Sequence, residues 1–209
     1  MFIGHFAVGL GARRFDKAPS LAMMFIAVQL LDLIWPVLVL LGIETLRLDV
    51  GNTKMTPLDF NYYPYSHSLL MAIVWGVLLG FVYYLFTKNR KGSVLLGLLV
   101  FSHWILDFLT HRPDLPLSPF NDTKFGLGLW NHPILESVIE IGLFLVGTFW
   151  YFQSAKPVRK TASWSLIVFL LITHIMNLIG PPPPSGEMVA WVAMLIWIFV
   201  AWAWWVEKK

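Results

Sequence analysis

Six long apolar stretches set the limits on what this chain can fold into. They run over residues 19–43, 66–87, 92–110, 131–152, 162–179 and 187–206. A helix rises about 1.5 Å per residue and the hydrocarbon layer is about 30 Å thick, so about 20 apolar residues make one span. Hydrophobic residues make up 57% of the chain and charged residues 13%, against roughly a quarter charged in soluble domains. The pattern predicts an all-α polytopic membrane helix bundle of six transmembrane helices, one integral membrane domain over residues 1–209. Met1 to Ala12 is apolar too, but too short to cross. It lacks the basic leader and small-residue cleavage site of a secretory signal, so a short N-terminal membrane-embedded helix is expected.

Charge placement gives an orientation. Threading six spans puts Arg13, Arg14, Lys17, Lys88, Arg90, Lys91, Lys156, Arg159, Lys160, Lys208 and Lys209 on one side. Arg47, Lys54, Arg112 and Lys124 fall on the other. The positive-inside rule assigns the first side, with the C-terminus, to the cytoplasm. The longer loops Glu44–Tyr65 and His111–Trp130 then face outward. Trp202, Trp204 and Trp205 precede the charged end as an interfacial belt. A net charge of +3 is too small to imply nucleic acid as a partner. The absence of cysteine excludes disulfides, thiolate metal sites and a cysteine nucleophile.

Against this apolar background, ionisable residues inside spans are costly and mark function by default. Asp32 lies past the midpoint of the first span, and His67 opens the second. His103 and Asp107 lie in the third, with His111 one turn beyond. His132 begins the fourth, followed by Glu136 and Glu140. If the N-terminal helix ends at Arg13-Arg14, His5 is lifted into the bilayer. Every one of these residues then falls in the outer half of the membrane. The orientation is fixed without them, so their clustering is a separate observation. His174, on the fifth span without an acidic neighbour in sequence, reads as a packing residue.

Spacing adds chemistry. His103 and Asp107 share a helix face, and His132, Glu136 and Glu140 repeat the same four-residue step. No Lys or Arg lies within a span to neutralise these carboxylates. They must be protonated, hydrogen-bonded or bound to a cation. A divalent metal answers for all of them. Imidazole and carboxylate without thiolate suit zinc first, and also admit manganese or iron. Each residue alone has an ordinary reading: a histidine at a span end is commonly interfacial, and HxxxD on one helix is a weak motif.

The order Gly4-His5, an Asp in an apolar run, Ser66-His67-Ser68-Leu69-Leu70 and Ser102-His103-Trp104-Ile105-Leu106-Asp107 resembles the membrane-bound metal-dependent hydrolases. These are the LexA-binding, inner-membrane-associated family, and the resemblance implies the inner membrane of a prokaryote. The same order is similar to zinc-dependent phospholipase C and the single-strand nucleases. That similarity implies one to three ions. Asp107 would bridge two, with His5 on one and Asp32, His67 and His103 on the other. His111, His132 and Glu136 would hold a third, with Glu140 competing for the role of Glu136. Those enzymes begin with a Trp whose amine binds zinc, and here Met1 stands four residues before His5.

Together these features predict a metal-dependent hydrolase acting on a phosphoester or lipid-type substrate at the outer half of the membrane. Asp32 is expected to be a ligand or the general base. Arg112 and Asp114 are expected at the substrate, a membrane lipid or amphipathic small molecule. Lys124 reads as a solvated loop charge. A transporter or ion-coupled permease is the alternative, although no inverted repeat or pair of broken helices is visible. A non-catalytic bundle stabilised by metal is the third reading.

Overall fold

The computed structural model describes all residues except Lys156, Val158 and Lys209. Lys156 and Lys209, two of the residues that set the orientation, therefore lie outside the described residues. The chain is predominantly helical with very little sheet, as expected. Five helical segments are long and apolar enough to cross a membrane, and a bent pair makes a sixth candidate. The described helices are α1 (Ile3–Ala12), α2 (Leu21–Val28), α3 (Leu30–Leu40), α4 (Pro64–His67), α5 (Leu69–Thr87), α6 (Arg90–Thr110), α7 (Pro133–Ala155), α8 (Lys160–Ile179), α9 (Gly186–Ala193) and α10 (Ile196–Glu207).

The first expected span is not one helix. It breaks at Gln29, and α2 and α3 meet at 56°. Pro36 lies one turn inside α3 and offers no N–H to the carbonyl of Asp32, which weakens the helix on the break's C-terminal side. Two consequences matter. The carbonyl of Val28, last residue of α2, is released for another partner. Asp32 falls in the first turn of α3, where the helix dipole favours an anion.

The second expected span is also divided. His67 ends the one-turn α4, Ser68 is extended, and its side chain accepts from the Met71 N–H to start α5. The two outer loops carry small antiparallel ribbons that the apolar pattern does not signal. β1 (Thr45–Leu48) pairs with β2 (Leu58–Tyr62), and β3 (Leu115–Pro116) with β4 (Lys124–Phe125).

The bundle closes around α1. Ile3, Phe6 and Leu10 are fully buried against residues such as Phe25, Phe144, Leu170 and Phe199. Close approach to α7 requires glycine: a Cβ on Gly147 would overlap the carbonyl of Ala7. At the other end of the fold, α5 lies on α6 through Gly76, where a Cβ would sit 2.8 Å from the Gly97 carbonyl oxygen. The outer faces stay apolar. Val77, Phe86, Ile134 and Leu145 are each more than 60% exposed, a surface untenable in water and ordinary in lipid. Arg13 pairs with Glu207 at 2.6 Å, so the turn after α1 is tied to the end of α10.

Candidate metal centre

Four separate segments deliver imidazole and carboxylate groups to one buried point. His5 comes from α1, Asp32 from the first turn of α3, His67 from the end of α4, and His103 with Asp107 from one face of α6. All but Asp32 are almost wholly buried. Asp32 is part-exposed, its side chain 25% accessible. Ligand atoms of His5, His103 and Asp107 lie within 4.8 Å of one another, and so do those of Asp32, His67 and His103.

The carboxylate of Asp107 stands between two sets of partners. Its Oδ1 lies 3.1 Å from His5 Nε2 and 3.3 Å from the Met1 amine. Its Oδ2 lies 3.0 Å from His103 Nε2 and 3.8 Å from His67 Nε2. Asp32 Oδ1 is 3.5 Å from His67 Nε2 and 3.8 Å from His103 Nε2, and accepts the Trp35 indole N–H at 2.9 Å.

A backbone carbonyl orients one of the rings and a side chain another. His103 Nδ1 is 2.6 Å from the Val28 carbonyl that the α2–α3 break releases. A carbonyl only accepts, so Nδ1 carries the hydrogen and Nε2 of the neutral ring is bare. His67 Nδ1 meets Ser66 Oγ at 2.8 Å, and Ser66 Oγ is 2.6 Å from Glu44 Oε2. His5 stacks on His103 with ring centroids 3.7 Å apart and planes 2° from parallel. Two imidazolium charges at that distance would repel, so both rings cannot be protonated comfortably.

His111 is placed elsewhere. Its Nδ1 lies 3.0 Å from Asp114 Oδ1, beside the Tyr63 hydroxyl, and its ring packs on Trp130. Asp114 also accepts from Tyr63 at 3.1 Å and from Arg112 Nε at 3.0 Å. Burial disfavours the Asp114 anion, but the hydrogen bonds from His111, Arg112 and Tyr63 prevail and hold its pKa below the usual range. Arg112 pairs with Asp59 as well, so both of its neighbours are already carboxylates. Arg112 and Asp114 thus fasten the loop after α6 to β2, with the Arg112 side chain still 36% accessible. Lys124 donates to the Asn61 carbonyl and is exposed, as a solvated loop charge should be.

The third expected ligand set is not assembled. His132 is exposed, outside α7, with φ −124° and ψ 67°. It precedes Pro133, and the residue before a proline is pushed out of the helical region, so His132 cannot share a helix face with Glu136. Glu136 and Glu140 are buried side by side on α7. Glu140 accepts the Gly4 N–H at 2.9 Å, and His174 Nδ1 lies 3.9 Å from its other oxygen. Neither oxygen of Glu136 has a hydrogen-bond partner. Among the described residues, no trio including His111, His132, Glu136 or Glu140 gathers as tightly as the two trios around His103.

Two further residues sit close to this chemistry: His174, read from sequence as packing, and Glu44, which the sequence does not single out. His174 faces Glu140 from α8, where no sequence spacing links the two. Glu44 is 1% exposed and accepts three hydrogen bonds. Burial raises the pKa of its carboxyl against the pull of the Ser66 and Tyr65 hydrogen bonds. Its apolar flank in Gly42-Ile43 is the one available signal that it is not a loop charge.

Residues 64–208 match the model of a family described as YdjM inner membrane protein. That range takes in His67, His103 and Asp107, while His5, Glu44 and Asp32 precede it. No curated protein and no solved structure matches the chain.

Proposed function

The chain belongs to the YdjM inner membrane protein family and is an integral membrane protein, and from that premise we propose that it is a membrane-embedded, metal-dependent hydrolase. His5, Asp32, His67, His103 and Asp107 would hold the metal. Zinc is the first choice, from the imidazole and carboxylate donor set.

One observation carries the reading. His103 Nε2 lies 3.0 Å from Asp107 Oδ2 yet makes no hydrogen bond to it, and the ring's one hydrogen is committed to Val28 at Nδ1. A bare nitrogen without a partner faces an anionic oxygen in a buried site, and a buried polar atom left unsatisfied costs about 1–3 kcal/mol. A cation between them removes the conflict. A proton on Nε2 is a poor substitute, because the geometry aims no N–H at the oxygen.

When bound, the ion supplies Lewis acidity at a phosphoryl or carbonyl oxygen and makes hydrolysis accessible near neutral pH. The protein's own groups divide the remaining work. Asp107, with each oxygen facing a different partner set, would offer one oxygen to each set of ligands. Asp32 is the part-exposed member of the five, and the Trp35 N–H fixes one of its oxygens. It is therefore the group suited to take a proton from an attacking water. The lipid-compatible outer surface and the site's burial favour an amphipathic substrate, a phospholipid or lipid-linked phosphate. The distribution of basic residues supports a cytoplasmic C-terminus and a site in the outer half of the bilayer.

The test is metal analysis of the purified protein beside His103→Ala and Asp107→Ala. The wild type should carry stoichiometric zinc and both variants should lose it; full content in both would remove the core of the reading. Zinc-loaded protein in vesicles should then release headgroup from an ester or phosphoester lipid and stop on chelation. Failure to turn over any such lipid, or any amide lipid, would leave a metal-stabilised bundle without hydrolase activity.

A further inference from the structure

We infer that Glu44 is a positioning residue that sets the tautomer of His67 through the Ser66 hydroxyl and so keeps His67 Nε2 available as a metal ligand. The inference deepens the proposed metal-dependent function and rests on it.

Glu44 lies before β1, far in sequence from the clustered residues, yet it is buried against α4. Its Oε1 accepts the N–H groups of Tyr65 and Ser66, both at 2.9 Å. These are donors in the first turn of α4 without a partner inside so short a helix, so the carboxylate caps α4. Its Oε2 lies 2.6 Å from Ser66 Oγ. A carboxylate has no hydrogen to give, so the serine hydroxyl must donate to it.

That donation determines the state of the His67 ring. A hydroxyl has one hydrogen, and Ser66 has spent it on Glu44. Toward His67 Nδ1, 2.8 Å away, Ser66 Oγ can therefore only accept. Nδ1 carries the ring hydrogen, and the neutral imidazole presents a bare Nε2. That atom faces Asp32 Oδ1 at 3.5 Å and Asp107 Oδ2 at 3.8 Å. Val28 does the same for His103 with a backbone carbonyl. For His67 the acceptor is a side chain, and its polarity is a matter of charge that a single substitution reverses.

Glu44→Gln makes that reversal. The amide oxygen can keep both backbone N–H bonds, while its NH2 group now donates to Ser66 Oγ. The serine hydrogen is released, and its remaining acceptors are His67 Nδ1 at 2.8 Å and the Tyr63 carbonyl at 3.4 Å. The nearer one takes it. The ring hydrogen then moves to Nε2 and blocks the ligand atom.

The experiment uses the full chain in detergent, with zinc affinity read by competition with a chromophoric chelator. The tautomer of His67 is read by 15N NMR of the chelator-treated protein. Glu44→Gln should weaken zinc binding by about 10- to 100-fold, as other outer partners of metal-binding histidines do, and shift His67 toward the Nε2–H form. Ser66→Ala should lose less, because it frees the ring without forcing it. The double variant E44Q/S66A should bind better than E44Q alone, since the reversed relay is cut. A purely structural capping role predicts the opposite order, with the double variant worst. Wild-type affinity and an Nδ1–H ring in E44Q would overturn the proposal, as would a double variant no better than E44Q. Should E44Q fail to fold, an unchanged tautomer and affinity in Ser66→Ala would overturn it. A wild type that binds no zinc would sink the hydrolase reading, while the NMR measurement would still decide the role of Glu44.

Discussion

Two buried polar groups lie in this bundle, built from the same parts and ending in different states. One is His5, Asp32, His67, His103 and Asp107. The other is Glu136, Glu140 and His174. Each has two ionisable residues four apart on one helix and a histidine from another. In the first, the far nitrogens of His67 and His103 are held by Ser66 and Val28, and ligand atoms gather within 4.8 Å in two trios. In the second, Glu140 spends one oxygen on the Gly4 N–H, His174 stands 3.9 Å off, and Glu136 meets no donor. Spacing along a helix brings side chains to a common face. The difference lies in how imidazole rings are held from behind: the α2–α3 break holds His103 and the Glu44–Ser66 pair holds His67, while His174 Nε2 has no partner.

The matched substitutions Asp107→Asn and Glu140→Gln break the comparison most sharply. Both are isosteric and both remove a buried carboxylate. Asp107→Asn should reduce zinc affinity by more than about 100-fold, beyond the loss typical of an outer partner, because it would convert the proposed shared ligand into an amide. Glu140→Gln should leave bound zinc unchanged, since its amide oxygen still accepts from Gly4. Metal content by mass spectrometry on purified protein distinguishes them. Equal losses would mean that the two groups form one centre.

Gly147→Ala ranks next and acts on both groups through α1. The added methyl would overlap the Ala7 carbonyl, so α1 must move away from α7. Overpacking of this kind costs about 1–3 kcal/mol. Because His5 and Gly4 ride on α1, the shift should lengthen the Asp107 and Glu140 contacts together. A lower melting temperature in detergent is expected, with a zinc affinity reduced several-fold. A stability loss with untouched zinc affinity would show that His5 is dispensable for binding.

Much of this was legible in the sequence because the bilayer punishes polar residues wherever they stand. Six candidate spans and four of the cluster's five residues follow from apolar length and from the oddity of Asp32, His67, His103 and Asp107 within it, while His5 follows from the short apolar N-terminal segment. The break at Gln29 was harder to see. Leu21 to Leu40 is apolar on both sides, and only Pro36 and the polar Gln29 hint at the bend. The ribbons β1–β2 and β3–β4 left no trace in a pattern dominated by lipid. His132 was misjudged for a readable reason: Pro133 excludes it from the helix on which its spacing to Glu136 depends. The Glu44 contacts, and the acidic neighbour of the packing residue His174, are not legible because their partners come from across the fold, and no spacing along one helix records a neighbour on another.

The smallest expected effect belongs to Glu136→Gln, and it sharpens the contrast from the weaker side. Glu136 is fully buried, and neither oxygen has a hydrogen-bond donor. It lies beside Glu140, whose own carboxylate is engaged with Gly4. Two adjacent buried carboxylates repel, so one must hold a proton or share it with its neighbour. An amide keeps the shape, removes the repulsion and donates to Glu140 directly. Replacing an uncompensated buried charge by a neutral group of equal volume is commonly neutral or stabilising. Glu136→Gln should therefore raise the melting temperature by a few degrees or leave it unchanged, with zinc content as in the wild type. Loss of zinc in this variant would move Glu136 into the first group and give the fourth expected span a ligand after all.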